Sequence, residues 1–158
     1  MSAVETKSGR AAILTARIVL LLYVAVIAYL MLFCIRLGRY PHQVTLVNLV
    51  PFEEISRFYK VFLQTRNRNS LMNLAGNVVM FMPFGMIVPM SFPKKKVRIL
   101  TPFLSCLFSL VMELIQYGTR RGSFDVDDLI LNTVGGVLGW LIFLLAYHIL
   151  KNKKAARS

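Results

Sequence analysis

Four long apolar blocks, separated by shorter polar segments, dominate the chain. They cover residues 11–35, 71–92, 99–117 and 129–150. Each is close to or longer than the roughly 20 residues that a helix needs to cross the hydrocarbon core of a bilayer. Blocks of this length and polarity are typical of transmembrane helices. The pattern predicts an all-α integral membrane protein with four transmembrane helices, in which residues 1–158 form a single membrane domain.

The first apolar block differs from the core of a cleaved signal peptide. Its apolar run exceeds the roughly 7–15 residues of such a core, and no small-x-small cleavage motif follows it. We therefore expect the first block to be retained as a membrane span.

A weaker apolar pattern lies between the first two blocks. After Pro51, apolar and aromatic residues recur at intervals of three and four: Phe52, Ile55, Phe58, Tyr59 and Phe62. This period places them on one face of a helix. The pattern indicates a short amphipathic helix that lies in the membrane interface between helices 1 and 2.

The net charge of +12 bears on partners and on orientation. The basic residues show no stripe with interleaved aromatics, so we expect no nucleic acid partner and assign them to anchoring in anionic lipid. Of the 19 Lys and Arg residues, eleven fall on the side of the two termini and eight on the other side. The positive-inside rule then predicts a multi-pass membrane protein with both termini in the cytoplasm.

The cysteines and histidines do not form a metal-ligand pattern. Cys34 and Cys106 are far apart, and His42 and His148 lie far from both. The acidic segment Asp125–Asp128 suggests a Mg²⁺-pyrophosphate site, but one such cluster is a weak signal. We expect no metal site and no cofactor, and we expect both thiols to be free because they lie at different depths.

Polar residues from three spans are predicted to lie at the same membrane depth. They fall in the first turns of span 2, the last turns of span 3 and the start of span 4: Asn73, Asn77, Glu113, Gln116, Asp127, Asp128 and Asn132. Because consecutive spans alternate in direction, these positions share the outer side of the membrane.

The spacing of these residues also places them on single helical faces. Ser109, Glu113, Gln116 and Arg120 follow intervals of four, three and four, and Asp128, Asn132, Gly135 and Gly139 form a second stripe. The interval Gly135–Gly139 allows close contact with a neighbouring helix. The stripes predict an outward-facing polar pocket that binds a ligand. The alternative is a network that only holds the helices together, with Asp127 or Asp128 capping helix 4.

Glu113 is the most costly of these groups. An isolated carboxylate near the bilayer centre costs about 2.5 kcal/mol or more, and less near the interface. Arg120 or Arg121 is positioned in the sequence to neutralise it, although Arg120 lies about 10 Å along the axis from Glu113. Arg121, on the loop, can fold back more freely.

The residues assembled so far resemble the VanZ-like family of bacterial membrane proteins. The resemblance covers NLVPF at 48–52, NLAGNVVMFMPFG at 73–85, ELIQ at 113–116 and RRGSFDVDDLILNTVGGVLG at 120–139. It implies an association with resistance to teicoplanin, a lipid-tailed glycopeptide that binds cell-wall precursors, and it implies no established reaction. The family pattern maps onto Asn48, Pro51, Phe52, Asn73, Asn77, Phe81, Pro83, Gly85, Glu113, Gln116, Arg121, Asp125, Asp128, Asn132 and Gly135. Two arginines stand where one basic residue is usual, so the choice between Arg120 and Arg121 stays open.

Three hypotheses about function follow. The first is a factor that binds a lipid-linked cell-wall precursor or a lipoglycopeptide and modulates glycopeptide resistance. The second is an intramembrane enzyme that modifies an envelope lipid, with Glu113 as acid or base and with Arg121 and Asp128 as further catalytic candidates. The third is a small transporter or an envelope-assembly partner. In each case the expected partners include membrane lipids, and the candidate ligand-binding residues are Asn48, Asn73, Asn77, Glu113, Gln116, Arg120, Arg121, Asp125, Asp128 and Asn132.

Overall fold

The computed structural model describes residues 7–33, 47–66 and 68–156, and within them the chain is almost entirely helical. The helices are α1 (Lys7–Phe33), α2 (Glu53–Thr65), α3 (Arg68–Ser91), α4 (Lys95–Gly118) and α5 (Val126–Ala155). Two short strands, β1 (Val47–Asn48) and β2 (Phe124–Asp125), precede α2 and α5.

Four of these helices are long and apolar enough to cross a membrane, which confirms the predicted spans. The qualifying segments are Gly9–Phe33, Leu74–Ser91, Lys95–Gly118 and Val126–Lys153. α4 begins before its predicted apolar block, whereas α5 begins at the acidic residues with which the fourth span is predicted to start. The first turn of α4 includes Lys95 and Lys96, and that of α5 includes Asp127 and Asp128. Acidic side chains suit the positive amino end of a helix, which explains why α5 starts before its apolar run.

Close backbone contact between α3 and α5 organises the bundle. An added Cβ at Gly135 would lie 2.1 Å from the carbonyl oxygen of Val78, and one at Gly139 would lie 1.8 Å from that of Met82. A Cβ at Gly85 would likewise lie 1.9 Å from the Gly136 carbonyl oxygen. Glycines from both helices therefore allow their backbones to touch, as the interval Gly135–Gly139 predicts.

Buried apolar side chains from three helices complete the packing of the bundle. Ile27 and Met31 of α1, Phe81 of α3 and Met112 of α4 form a buried apolar cluster. Pro83 and Pro89 lie inside α3, and the helix nevertheless continues to Ser91. Cys106 on α4 is a free thiol, as predicted, whereas Cys34 lies outside the described residues.

The predicted amphipathic helix is α2. None of its residues is fully buried, and it contacts α3 and α5. Ile55, Phe58 and Phe62 are partly buried on one face, whereas Tyr59 and Leu63 are exposed. The sequence thus predicts the helix but not all of its packed face, because Phe52 and Tyr59, expected on that face, are exposed.

Candidate functional site

A two-residue parallel strand pair brings the chain before α2 to the start of α5. Val47 pairs with Phe124, and Asn48 pairs with Asp125. The Asn48 side chain strengthens this link, because its Nδ2 donates to Asp125 Oδ1 at 3.2 Å and its Oδ1 accepts from the backbone N–H of Val50 at 3.0 Å. The all-α prediction did not include this pairing, since two-residue strands leave no period in a sequence.

Asp125 is the residue that caps α5. Its Oδ1 accepts a hydrogen bond of 2.8 Å from the backbone N–H of Asp127, the second residue of the helix. This is the position from which an N-cap side chain satisfies an unpaired N–H. Burial raises the pKa of Asp125 above its ordinary value of 3.8, and the charge of Asp127 adds to the rise. Hydrogen bonds from the Asp127 and Asp128 N–H groups and from Asn48 oppose it.

Asp127 stabilises a different helix from the one expected. Its carboxylate accepts hydrogen bonds from the backbone N–H groups of Phe52 at 2.5 Å and Ile55 at 3.1 Å, in the first turn of α2. Phe52 occupies the N-cap position of α2 with a positive φ of 67° and offers no side-chain cap. The expectation that Asp127 caps helix 4 is therefore wrong: Asp127 lies inside the first turn of α5, and its side chain points away to α2.

Glu113 is fully buried and is connected to the same loop. Its relative exposure is 0%, and its Oε2 accepts a hydrogen bond of 3.2 Å from the backbone N–H of Asp125. The Glu113 carboxylate of α4 therefore binds the residue that immediately precedes α5. Pairing of Glu113 with an arginine stays a prediction.

The remaining polar groups of the α4 stripe join helices to one another. Gln116 Nε2 donates to the Met31 carbonyl of α1 at 3.0 Å, and Asn132 Nδ2 of α5 donates to Ser109 Oγ at 3.0 Å. Thr101 and Ser105 are also fully buried and continue the stripe at intervals of four. Their intervals of four in the sequence place them on the same helical face as Ser109 and Glu113.

The two arginines have different positions. α4 ends in a pair of backbone hydrogen bonds, from Arg120 N–H to the Tyr117 carbonyl and from Arg121 N–H to the Gln116 carbonyl, with Arg120 at a φ of 56°. This is a Schellman motif in which an arginine takes the left-handed position usually held by glycine. Arg120 is exposed, whereas the guanidinium carbon of Arg121 lies 4.4 Å from the centroid of the Phe33 ring.

Asn77 of α3 and Asp128 of α5 meet across the helix interface. Asn77 Nδ2 donates a short hydrogen bond to Asp128 Oδ1. Asn73 lies one turn earlier on α3, and its side chain is outside the described part of the structure.

These contacts enclose a cavity of about 190 Å³ at one end of the bundle. The polar lining consists of Glu54, Asn77, Asp125, Asp127, Asp128 and Asn132. The other lining residues are Met31, Phe58, Met72, Leu74, Gly76, Met80, Phe81 and Leu131. The lining thus combines carboxylate and amide groups with apolar residues, three of which are methionines, and both kinds come from α2, α3 and α5.

The residues that line the cavity differ in part from the ligand-binding residues predicted from the sequence. Asn77, Asp125, Asp128 and Asn132 line it, whereas the other described candidates lie outside its lining: Asn48, Glu113, Gln116, Arg120 and Arg121. Glu54 and Phe58 were not predicted, although their interval of four on an amphipathic helix placed them on one face. Among the described residues, no group of three acidic, histidine or cysteine side chains is placed to hold a metal ion.

Glu54 shares the electrostatic environment of the cavity. Its pKa is raised, chiefly by burial, and the nearby Arg57 guanidinium opposes the rise. The negative charges of Asp125, Glu53 and Asp127 add to it. The acids that line the cavity therefore act on one another.

Comparison with known proteins identifies the family. The sequence model of the VanZ/LLP1 family matches residues 20–147, which is most of the chain. The chain belongs to the VanZ/LLP1 family. It is also 30% identical over 146 residues to Protein VanZ of Enterococcus faecium, covering 90% of this chain and 81% of that protein. No solved structure matches it.

The match to VanZ/LLP1 covers the whole candidate site. It begins within α1 and ends within α5, so it includes both strands, α2 and every residue that lines the cavity. Membership together with the four spanning helices makes this chain a multi-pass membrane protein.

Proposed function

We propose that this protein modulates resistance to teicoplanin-type glycopeptides by binding, in its cavity, a lipid-linked envelope component or the lipid-tailed antibiotic itself. The relationship to Protein VanZ supports the resistance role. The cavity of about 190 Å³ supports the binding role and is the single observation that carries it.

The mixed lining of the cavity suits an amphiphile. Its acidic residues accept hydrogen bonds, because ionised carboxylates have only acceptor atoms. The lining also includes Met31, Met72 and Met80, whose flexible thioether side chains adapt to apolar chains of different shape. Met72 is 67% exposed, so one apolar lining residue lies at the protein surface.

We place the cavity on the outer side of the membrane, where an envelope component or an antibiotic is available. It lies where α1 ends and α3 begins, at the end opposite the two termini. Because the terminal side carries eleven of the basic residues, the positive-inside rule favours cytoplasmic termini and hence an outward cavity.

Binding has more support than catalysis. The enzyme hypothesis uses Glu113 as acid or base, and such a group must come within hydrogen-bond reach of the reacting atoms. Glu113 is fully buried outside the cavity lining and accepts the Asp125 N–H. Its position suits a structural role beneath the cavity.

The test is expression in a teicoplanin-susceptible bacterium that lacks a related protein. We expect the wild type to raise the inhibitory concentration of teicoplanin and to leave that of a glycopeptide without a lipid tail unchanged. Asn77→Ala, which removes one hydrogen-bond partner of Asp128, should abolish the effect. Asn152→Ala is the matched control, because Asn152 is exposed near the carboxyl end and contacts His148.

Membrane abundance of each variant is measured by immunoblot in the same cells. Equal abundance with lost tolerance for Asn77→Ala supports the proposal. Unchanged teicoplanin susceptibility with abundant wild-type protein contradicts the resistance role.

A further inference from the structure

The charged residues that line the cavity are all acidic, although Arg57, outside the lining, forms an ion pair with Glu54. The four acidic residues of the lining are Glu54, Asp125, Asp127 and Asp128. No Lys, Arg or His is among the residues that line the cavity in the described ranges. Carboxylates that share a site of low dielectric repel one another, so such a site favours a positively charged occupant.

The amides that line the cavity also present acceptors. Asn77 uses an N–H to reach Asp128, and Asn132 uses one to reach Ser109. Asn132 is only 1% exposed and lines the cavity, and its Oδ1 accepts no hydrogen bond from the part of the chain that is described. A buried acceptor without a partner costs about 1–3 kcal/mol, which indicates a missing donor at this point.

We infer that the cavity takes the primary ammonium end of an amine-bearing amphiphile, with Asn132 Oδ1 and the surrounding carboxylates accepting its N–H groups. This inference rests on the proposed function, since it names the ligand class of the same site.

An ammonium group fits better than the other cations available in a membrane. It has three N–H donors, whereas a quaternary ammonium has none. A quaternary ammonium is typically held by a cage of aromatic rings, and the aromatic lining residues here are Phe58 and Phe81. A bare metal ion is disfavoured, because no three ligand side chains among the described residues are arranged around one point.

The size of the cavity limits what enters it. A volume of about 190 Å³ holds about six waters at roughly 30 Å³ each, which suits an ammonium with a few carbons but not a whole lipid. The rest of the amphiphile extends past Phe58 and the exposed Met72. The ligand therefore inserts its head between α2 and α3 and leaves its chain towards the bilayer.

The experiment measures binding of three eight-carbon probes to the purified full-length protein by calorimetry in neutral detergent, with empty micelles subtracted. The probes are octylammonium, octyltrimethylammonium and octanoate. Charge-assisted hydrogen bonds contribute about 1.5–3 kcal/mol, so octylammonium should bind at least about tenfold more tightly than either other probe. Equal binding of the two cations, or tighter binding of octanoate, would overturn the inference. Displacement of octylammonium by low concentrations of Mg²⁺ would also overturn it.

Two adjacent glutamates provide matched variants. Glu54 lines the cavity, whereas Glu53 is exposed beside it and does not. Glu54→Gln should weaken octylammonium binding about fivefold and Glu53→Gln less than about twofold, because only the first removes a charge from the wall. Equal effects of the two changes would mean that octylammonium responds only to surface charge, and this result would contradict the inference. If a variant is unstable, the preference of the wild type for octylammonium over the other two probes tests the inference by itself.

Competition identifies the source of the ammonium group. Displacement of octylammonium by phosphatidylethanolamine but not by phosphatidylcholine, which has the same charges without N–H donors, identifies a membrane lipid. Displacement by teicoplanin alone identifies the antibiotic. If teicoplanin tolerance persists in cells while the cavity prefers octanoate, the ammonium inference fails and the proposed function stands. If octylammonium binds selectively while teicoplanin tolerance is absent, the proposed resistance role fails and the ammonium inference stands.

Discussion

Asp127, in the first turn of α5, accepts a hydrogen bond of 2.5 Å from the backbone N–H of Phe52, 75 residues earlier in the chain. The same carboxylate accepts from Ile55, so the start of a transmembrane helix caps the amphipathic helix α2. α2 in turn contributes Glu54 and Phe58 to the cavity. The position of these two lining residues therefore depends on Asp127.

Asp127→Ala should release α2 and leave the membrane bundle folded. Loss of a capping side chain costs about 0.5–2 kcal/mol, and Phe52 offers no substitute cap. Hydrogen exchange of the backbone N–H groups in residues 53–57 should accelerate, while the exchange of α3 and α5 stays unchanged. Glu53→Ala, at an exposed position in the same turn, is the control. Unchanged protection of α2 in Asp127→Ala would show that the cap is dispensable.

Gly139→Ala should destabilise the contact between α3 and α5. The new Cβ would lie 1.8 Å from the Met82 carbonyl oxygen, so the two backbones must separate. Overpacking of this kind costs about 1–3 kcal/mol. Gly118→Ala is the control, because a Cβ there meets nothing within 4 Å. Thermal unfolding in detergent should show a lower midpoint for the first variant only, and equal midpoints would contradict the close packing.

Asp125 should make stability depend on pH. Burial raises its folded-state pKa above 3.8, so the folded state binds the proton more tightly than the unfolded state. The stability that this proton confers is present at low pH and is lost as pH rises through the folded-state pKa. Asp125→Asn should therefore be more stable than the wild type near pH 7, with a difference that shrinks towards about pH 4.

The measurement for Asp125 is the thermal midpoint of both proteins over this pH range. Asparagine also caps helices well, so the change removes the charge and keeps the cap of α5. A constant difference between the two proteins would mean that the carboxyl does not titrate differently on folding. Glu54→Gln should show the same trend, because burial also raises the pKa of Glu54.

Orientation is tested with reporters fused after Ser158. Both termini are predicted to be cytoplasmic, so a fluorescent protein that matures only in the cytoplasm should be bright, and an enzyme active only outside should be silent. The opposite pair of results would place the cavity on the cytoplasmic side. It would remove the access route assumed for an envelope ligand.

The periodic features of the sequence predicted most of the fold. Apolar blocks of sufficient length gave the four spans, and alternating direction placed Asn77, Glu113 and Asn132 at one end of the bundle, as observed. The interval between Gly135 and Gly139 predicted close contact with a neighbouring helix. These signals are local, because a helix displays its period within one segment.

What the sequence did not predict depends on contacts between distant segments. The direction of the Asp127 side chain depends on where α2 lies. Asp125 caps α5 because the helix starts at Val126, before the apolar residues whose pattern marks a helix in the sequence. The Schellman position is usually marked by glycine, and here Arg120 occupies it. The charge of Arg120 suggests that it binds a ligand in the pocket, whereas the structure places Arg120 at the exposed end of α4.

The central claim is that the cavity binds an envelope amphiphile, and photocrosslinking from its wall tests this most directly. Benzoylphenylalanine is placed at Phe58, which lines the cavity, or at the neighbouring exposed residue Tyr59, and the protein is irradiated in cells. We predict that mass spectrometry finds an amine-bearing amphiphile attached at residue 58 and that octylammonium added to isolated membranes suppresses it. Residue 59 should capture only bulk lipid. Capture of the same lipids at both positions, with no suppression by octylammonium, would contradict the account.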